Sequence, residues 1–328
     1  MKIFIDSADI DEIRQAYAWG IADGVTTNPS LMKKAVDARH KKAHRLDLQT
    51  YITEILKVAK GTPVSLEVTE TTADGMIRQG LALYKLFNPI ARNIVIKIPI
   101  NPAFKDTDTT HFDGLRAIKA LADKKIPVNV TLVFTPEQAL LAAKAGATYV
   151  SPFAGRMDDY IRKRNRITFE KTDYFPWQGM WKGKKPYDDN GVVSGVDLVW
   201  KCSQILKHYG FKTKVLAASL RNIRQVREAA LHHADAATLP FSVIQNMLKH
   251  TKTYEGMAKF TKDIVPAYVR MTEGGTHDPS SKPAAKESRV VKGKKAVVKL
   301  ARDLKTKRSV KKRKPKGKGW FEIKDVEK

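Results

Sequence analysis

Residues 94–99 read Ile94-Val95-Ile96-Lys97-Ile98-Pro99, a short apolar run that carries one lysine near its carboxyl end. A run of this length is typical of a buried strand. Five other short apolar runs also end on a polar side chain, and amphipathic segments separate them. Because the carboxyl ends of parallel βα strands meet on one face, we expect the six terminal side chains to form one site. They are Asp6, Asn28, Glu67, Lys97, Thr131 and Ser151.

The chain alternates strand and helix patterns eight times. Helical periodicity after the first strand pattern is carried by Ile10, Ile13 and Ala16. Eight alternations without a hairpin signal favour an α/β fold of the (β/α)₈ or TIM barrel type. A doubly wound sheet is less favoured because no Gly-x-Gly-x-x-Gly turn or phosphate loop follows a strand. Strands are predicted at residues 2–6, 24–27, 63–68, 93–98, 127–134, 148–152, 213–217 and 236–239.

The length of 328 residues fits one barrel of about 250 residues with an appendage. The net charge of +26 is uneven, since residues 276–328 hold 19 Lys and Arg against 6 Asp and Glu. That segment opens with a linker rich in serine and proline. We therefore expect a barrel domain at 1–275 and a flexible basic tail at 276–328.

An aromatic and basic segment at residues 160–190 interrupts the regular spacing. We take it as an insertion between the sixth strand and its helix, which would place it on the face where the strands end. It could form a lid over the site, pack on the rim of the barrel, or make an oligomer contact.

Cysteine and histidine usage argues against a metal site. The single cysteine, Cys202, excludes an internal disulfide and a zinc site of several cysteines, and its helical surroundings suggest buried apolar filler. His232 and His233 are adjacent, so on a helix they point to different faces. We expect no metal and no cofactor.

The amino terminus begins directly with a strand pattern, and no run reaches the roughly 18 apolar residues of a membrane span. A cytoplasmic protein without a membrane partner is the simplest interpretation.

Lys97 is the residue with the most distinctive chemistry. At the end of an apolar strand its amine would be partly desolvated, which favours the neutral form and makes it a nucleophile toward a carbonyl group. Considered alone, an ion-paired core lysine is the more common case. Its predicted neighbours favour the nucleophile, because carboxylates move protons while amides and hydroxyls bind sugar hydroxyls. Those neighbours are Asp6, Asn28, Glu67, Asn129, Thr131 and Ser151.

At these residues the chain resembles the transaldolase family. The likeness extends in order over residues 1–262, and the segment lengths resemble the compact microbial branch. The loop that ends in Gly191-Val192-Val193-Ser194 is more similar to longer transaldolases, and the tail has no counterpart. The matching motifs are Asp6-Ser7-Ala8, Gly24-Val25-Thr26-Thr27-Asn28-Pro29-Ser30-Leu31, Val64-Ser65-Leu66-Glu67-Val68, Val95-Ile96-Lys97-Ile98-Pro99, Asn129-Val130-Thr131-Leu132, Gly146-Ala147-Thr148-Tyr149-Val150-Ser151-Pro152-Phe153 with Gly155-Arg156, and Ala217-Ala218-Ser219-Leu220-Arg221.

The resemblance implies a transaldolase of the pentose phosphate pathway that works through a Schiff base without a metal. Lys97 would form an imine at C2 of fructose 6-phosphate or sedoheptulose 7-phosphate. Asp6 would remove the C4 hydroxyl proton, and Glu67 with Thr131 would position a water molecule. An aldose phosphate such as erythrose 4-phosphate would accept the dihydroxyacetone unit.

The resemblance also implies a substrate pocket in which Asn28, Asn129 and Ser151 hold the dihydroxyacetone hydroxyls, with Thr26 and Phe153 beside them. Arg156, Ser219 and Arg221 resemble a phosphate clamp, in agreement with the match between a guanidinium fork and phosphate oxygens. We also expect a homo-oligomer.

Two alternatives stay open. A sugar-phosphate aldolase of the same superfamily would release free dihydroxyacetone, but such relatives tend to carry glutamine at Glu67 and tyrosine at Phe153. The other alternative is a polyanion-binding or nucleic-acid-binding protein that acts through the basic tail.

Overall fold

The computed structural model describes residues 1–40 and 47–272, and its centre is a closed barrel of eight parallel strands. Each barrel strand pairs with its neighbours in chain order, and the first strand pairs with both the second and the last. The predicted (β/α)₈ barrel is confirmed, and the strand limits agree with the prediction within one residue. The barrel strands are β1 (Lys2–Asp6), β2 (Gly24–Thr26), β3 (Val64–Glu67), β4 (Ile94–Pro99), β5 (Val128–Val133), β6 (Tyr149–Pro152), β9 (Lys214–Ala217) and β10 (Ala236–Leu239).

The helices between residues 10 and 247 surround the barrel and present apolar stripes to it. Capping defines where several of them begin; for example, Thr135 and Gln138 form a capping box at the sixth helix. The described helices are α1 (Ile10–Ala18), α2 (Pro29–His40), α3 (Leu48–Val58), α4 (Ala73–Ala91), α5 (Asp113–Asp123), α6 (Pro136–Lys144), α7 (Ala154–Arg164), α8 (Gly195–His208), α9 (Ile223–Leu231), α10 (Phe241–Met247), α11 (Thr251–Lys262) and α12 (Pro266–Thr272).

An apolar layer closes the interior of the barrel below the strand ends. Phe4 is fully buried in a cluster with Leu216 and Ala236, and Tyr149 packs against it. A side chain at Gly24 would place its Cβ 2.8 Å from the Phe4 ring, so β2 needs a glycine there. We call Phe4, Gly24, Leu216, Ala236 and Tyr149 the barrel floor. Since side chains alternate along a strand, Asp6 lies on the same face of β1 as Phe4, two residues nearer the strand end.

The insertion corrects one expectation. Helix α7 follows β6 directly and continues to Arg164, so the irregular segment begins at Asn165 and lies between two helices instead of between a strand and its helix. We missed this helix because charged residues dominate it and its apolar stripe is narrow. Within the insertion, β7 (Trp181–Lys182) and β8 (Lys185–Pro186) form a small antiparallel pair.

Contacts of the insertion agree with packing on the barrel. Phe175 is fully buried, and the guanidinium of Arg162 on α7 lies 4.9 Å from its ring centroid. Tyr174 donates a hydrogen bond of 2.5 Å to Glu228 on α9. The Trp177 ring lies 4.3 Å from the ring of His232, which caps the end of α9. The described insertion is therefore anchored to the outer helices.

Cys202 is buried within α8, and burial raises the pKa of its thiol to about 12. This confirms the expectation of apolar filler, since the reactive thiolate is strongly disfavoured. Within residues 1–40 and 47–272, no helix is both long and apolar enough to cross a membrane.

The chain divides into two compact units, Met1–Thr253 and a second that starts at Tyr254. The predicted boundary at residue 275 lies beyond the last described residue, so it stays a prediction. The predicted tail at 276–328 lies outside the described residues, so its flexibility stays a prediction.

Candidate active site

A polar pocket lies at the carboxyl ends of the barrel strands. It contains most of the predicted site residues; Glu67 contacts it through Lys97, while Thr131 and Arg221 do not line it. The lining also includes Ala218 and Thr238, which we did not predict. The residues that line the pocket are Asp6, Thr26, Asn28, Lys97, Asn129, Ser151, Phe153, Arg156, Ala218, Ser219 and Thr238.

Lys97 is the buried cation of this pocket. It is 5% exposed, and its Nζ lies 2.9 Å from Glu67 Oε2 and donates to the Thr27 carbonyl at 3.2 Å. The ion pair follows from strand register, because Glu67 on β3 is the direct partner of Lys97 on β4. A buried lysine needs such partners, since an isolated ammonium would be costly to desolvate.

Asp6 lies at the end of β1, in register with Thr26 of β2. The Thr26 hydroxyl donates to Asp6 Oδ1 at 2.9 Å and also lies 2.5 Å from the Thr238 hydroxyl. The Asp6 carboxyl opens toward the pocket but is surrounded by protein, and this desolvation raises its pKa above the ordinary value. The positive charge of Lys97 and the hydrogen bond from Thr26 oppose that rise.

Asn129 and Ser151 are held by each other and by Ser65. Asn129 donates through Nδ2 to Ser65 Oγ at 3.1 Å and accepts from Ser151 Oγ at 2.8 Å. These two bonds orient the buried amide. Asn28 lines the pocket and also contacts α2, since its Oδ1 accepts a hydrogen bond from the Leu31 N–H at the start of that helix.

Thr131 lies on β5 next to a backbone irregularity. The following residue, Leu132, has a left-handed φ of 59°, and the register with β6 shifts between Val130 and Val133. A non-glycine residue in that region is uncommon, and such bulges often lie next to functional sites. Thr131 is buried, and strand alternation places it on the same face as Asn129.

Arg156 and Ser219 form the outer end of the pocket. Arg156 is an exposed residue, and its guanidinium lies 4.9 Å from the Phe153 ring centroid. Ser219 has a left-handed φ of 62°, and a Cβ at Gly155 would lie 2.2 Å from the Ser219 carbonyl oxygen. Gly155 therefore permits the close approach of α7 to the segment after β9.

Arg221 is engaged beside the pocket instead of within it. Its Nη1 lies 2.7 Å from the Asp159 carboxylate and 3.4 Å from the Lys171 carbonyl of the insertion. Its backbone N–H donates to Gln225 Oε1 at 2.8 Å, and Gln225 in turn donates to Asp158 at 2.7 Å. Of the three predicted clamp residues, the structure brings Arg156 and Ser219 to the pocket.

Thr238 and Ser65 are the polar contacts that we missed. Thr238 is the polar residue in the otherwise apolar strand Ala236-Ala237-Thr238-Leu239, a pattern that could have identified it as a site residue. Its importance depends on contact with Thr26, which is remote in sequence. Among residues 1–40 and 47–272, no three His, Cys, Asp or Glu side chains are grouped as metal ligands, and His232 contacts Trp177.

Comparison with known proteins identifies relatives of the whole barrel. The family model described as Transaldolase/Fructose-6-phosphate aldolase matches residues 3–286. A "Probable transaldolase" of Anaeromyxobacter sp. (strain K) is 41% identical over 263 residues, 80% of this chain and 96% of that protein. A "Probable transaldolase" of Thermoplasma acidophilum is 41% identical over 264 residues, with 80% and 95% covered. That of Aquifex aeolicus is 40% identical over 263 residues, with 80% and 96% covered.

Proposed function

Because this chain belongs to the transaldolase/fructose-6-phosphate aldolase family, we propose that it transfers dihydroxyacetone from a ketose phosphate to an aldose phosphate. The donor is fructose 6-phosphate or sedoheptulose 7-phosphate, and the acceptor is an aldose phosphate such as erythrose 4-phosphate. These reactions belong to the pentose phosphate pathway in the cytoplasm. The observation that carries the proposal is the buried Lys97 amine, 2.9 Å from the Glu67 carboxylate and in one pocket with Asp6.

The first step is addition of the Lys97 amine to the C2 carbonyl of the donor. The amine must lose a proton to become nucleophilic, and Glu67 is within hydrogen-bond distance to accept it. The addition product then loses water and leaves a cationic imine. Glu67 and Thr131 are the residues we assign to that water. The imine nitrogen supplies the electron sink, so the proposed reaction uses no metal.

The second step breaks the C3–C4 bond of the donor. The bonding electrons move toward the imine nitrogen while Asp6 takes the C4 hydroxyl proton, and an aldose phosphate leaves. Desolvation raises the pKa of Asp6, which makes its carboxylate a stronger base. With the acceptor aldehyde, the steps run in reverse: the new C3–C4 bond forms, Asp6 returns its proton to the C4 oxygen, and water releases the product from Lys97.

The remaining pocket residues bind the substrate. Asn129 and Ser151 present an oriented amide and hydroxyl for the dihydroxyacetone hydroxyls, together with Asn28. At the outer end, Arg156 and Ser219 supply a cation and a hydroxyl for the phosphate group. Arg221 joins this clamp by exchanging part of its Asp159 contact for phosphate.

A coupled assay with fructose 6-phosphate tests the proposal. We expect sedoheptulose 7-phosphate when erythrose 4-phosphate is present, and little free dihydroxyacetone when it is absent. Free dihydroxyacetone at equal rates in both mixtures would favour the aldolase alternative. Borohydride added with fructose 6-phosphate should attach a reduced three-carbon unit to Lys97, and labelling at another lysine would contradict the proposed intermediate.

The proposal of a homo-oligomer rests on the exposed apolar side chains of α11 and α12. Helices α11 and α12 bury none of their side chains, and Tyr254, Met257, Phe260 and Tyr268 are all more than half exposed. Large exposed apolar groups in such number are typical of interaction surfaces. Analytical ultracentrifugation should give a mass that is a multiple of one chain, and a monomer at micromolar concentration would contradict the proposal.

We also propose a non-specific polyanion contact for the tail. Its 19 basic residues would release counterions on binding, so affinity should fall steeply with salt. Retention of duplex DNA or RNA by the full chain and by a chain ending at residue 275 tests this at low and physiological salt. Equal retention by the two chains would refute the contact.

A further inference from the structure

Thr238 lines the pocket but has no role in the proposed reaction steps. It lies on β10, is 4% exposed and lines the pocket next to Asp6 and Thr26. Its hydroxyl oxygen is 2.5 Å from that of Thr26, which donates to Asp6 at 2.9 Å. The three side chains therefore form a chain of hydrogen bonds that ends on the carboxylate assigned as the base.

Barrel closure produces this contact. β10 and β2 are the two neighbours of β1, so in a flat sheet two strand spacings would separate Thr238 from Thr26. In a closed barrel, inward side chains converge on the axis, and the two hydroxyls meet in front of β1. Thr26 is only 2% exposed, so bulk water cannot take the place of Thr238.

The number of hydroxyl protons determines the direction of each bond. An ionised carboxylate only accepts hydrogen bonds, and a threonine hydroxyl has one proton. When Asp6 is ionised, Thr26 donates its proton to Asp6, and Thr238 must then donate to Thr26. When Asp6 carries a proton on Oδ1, it can donate to Thr26, and Thr26 can turn its own proton to Thr238.

We propose that Thr238 is a positioning residue for Asp6: it orients the Thr26 hydroxyl and lets that hydroxyl serve both protonation states of the base. This role rests on the proposed function, in which Asp6 takes and returns the C4 proton. No proton leaves the three side chains when the two hydroxyls turn. Thr238 itself touches no reacting atom, so its effect reaches the substrate through Thr26 and Asp6.

Loss of the Thr238 hydroxyl should weaken the ionised form of Asp6. A donor that is itself hydrogen-bonded is a stronger donor, and hydrogen bonds to the carboxylate favour its charged form. Thr238→Val should therefore raise the Asp6 pKa by about half a unit and move the acid limb of kcat to higher pH by the same amount. We expect kcat to fall about fivefold to tenfold with little change in KM.

The experiment compares variants that keep the hydroxyl of residue 238 with variants that lack it. Thr238→Val removes the hydroxyl with similar volume, Thr238→Ser keeps it, and Thr238→Ala is a second hydroxyl-free variant should valine impair folding. Thr213→Val is the matched control, because Thr213 is also buried and bonds the Ala147 carbonyl at 2.7 Å before the start of β9. For each variant, kcat and KM with fructose 6-phosphate and erythrose 4-phosphate are measured as functions of pH.

A second readout does not depend on turnover. The Asp6 carboxyl is titrated by ¹³C NMR in labelled protein, and its signal is assigned by its loss in Asp6→Asn. The proposal holds if both hydroxyl-free variants raise the Asp6 pKa while Thr238→Ser and Thr213→Val retain the original value. An unchanged pKa in Thr238→Val and Thr238→Ala, or an equal shift in Thr238→Ser, would overturn it. Absence of transfer by the unmodified protein would refute the proposed function alone, since the titration still decides the role of Thr238.

Discussion

The barrel floor and the pocket above it are two residues apart along β1, but they differ in almost every physical property. The floor is built from Phe4 and its apolar partners and is fully packed, so that Gly24 has no room for a Cβ. The pocket contains Lys97 and Asp6, and Glu67 is paired with Lys97 beside it. Inward positions of the same strands therefore supply both stability and chemistry.

The difference shows how each layer depends on the other. A packed floor keeps water from reaching the pocket from below, and desolvation is the main cause of the raised Asp6 pKa. The pocket tolerates its charges because Lys97 and Glu67 are paired across adjacent strands. If the pocket supplies the chemistry and the floor the stability, substitutions in the pocket should abolish activity, while substitutions in the floor should lower stability.

The largest effect is expected for Lys97. Lys97→Ala and Lys97→Arg should both lower kcat by about 10³-fold or more and abolish borohydride trapping, because neither side chain can form the imine. Lys97→Arg should retain more thermal stability, since it keeps a cation beside Glu67. Lys201→Ala is the control, because Lys201 is ion-paired with Asp197 outside the pocket and should leave kcat unchanged. Residual trapping in Lys97→Ala would place the imine elsewhere.

Variants of Arg156 and Arg221 should distinguish binding of the substrate phosphate from stability of the fold. Arg156→Ala and Arg221→Ala should each lower kcat/KM for phosphorylated donors about 10-fold or more, since a charge-assisted bond contributes roughly 1.5–3 kcal/mol. Only Arg221→Ala should also lower the melting temperature, because it leaves the Asp159 carboxylate, 15% exposed, without its ion-pair partner. Lys119→Ala is the control, because it removes an ion pair with Asp123 in which both side chains are 60% exposed. An unchanged kcat/KM in Arg221→Ala would mean that this arginine stabilises the insertion but does not bind the phosphate.

The floor is tested by Gly24→Ala. The added methyl would lie 2.8 Å from the Phe4 ring, and overpacking of this kind costs about 1–3 kcal/mol of unfolding free energy. Urea unfolding measures the loss. Gly256→Ala is the control, because no atom other than those of its own helix backbone lies within 4 Å of the added Cβ. Phe4→Leu in the Gly24→Ala background should recover part of the loss, and the absence of any coupling between the two sites would contradict the packing explanation.

A carboxyl group outside the barrel interior is expected to make stability depend on pH. Burial raises the pKa of Asp158 from 3.8 to about 7, so its ionisation disfavours the folded state. This contribution to stability is full below the unfolded pKa and is lost as pH rises through the folded one. The melting temperature should therefore fall between about pH 4 and about pH 7, and less so in Asp158→Asn. An identical slope in Asp158→Asn would assign the effect to another group, and Asp11→Asn, an exposed residue, is the control.

The strands and most of the pocket could be predicted because they depend on local patterns. Strand length and apolar content identify β4. Its position in a βα repeat places Lys97 at the face of the barrel where the strands end. The missed helix α7 shows the limit of the same approach, since its charged composition hides a narrow apolar stripe. The insertion was consequently assigned to the wrong connection.

Two contacts of the site could not be predicted from any local pattern. Asp159 engages Arg221 at 2.7 Å although 62 positions separate them, and each looks like an ordinary surface charge in sequence. Thr238 meets Thr26 across 212 positions. In both pairs, the sequence around one residue gives no indication of the other. The distance between the two residues depends on how the barrel closes and on how α7 approaches the segment after β9.

The amino-acid sequence alone therefore determined the architecture and the residues at the strand ends. Alternation along each strand has a fixed period, so the inward positions follow from counting. The tertiary structure decided which of those residues are electrostatically coupled. It placed Glu67 beside Lys97 through strand register, joined Thr238 to Thr26 through barrel curvature, and directed Arg221 to Asp159. These pairings depend on distances of a few ångströms between remote segments, and only the closed barrel sets those distances.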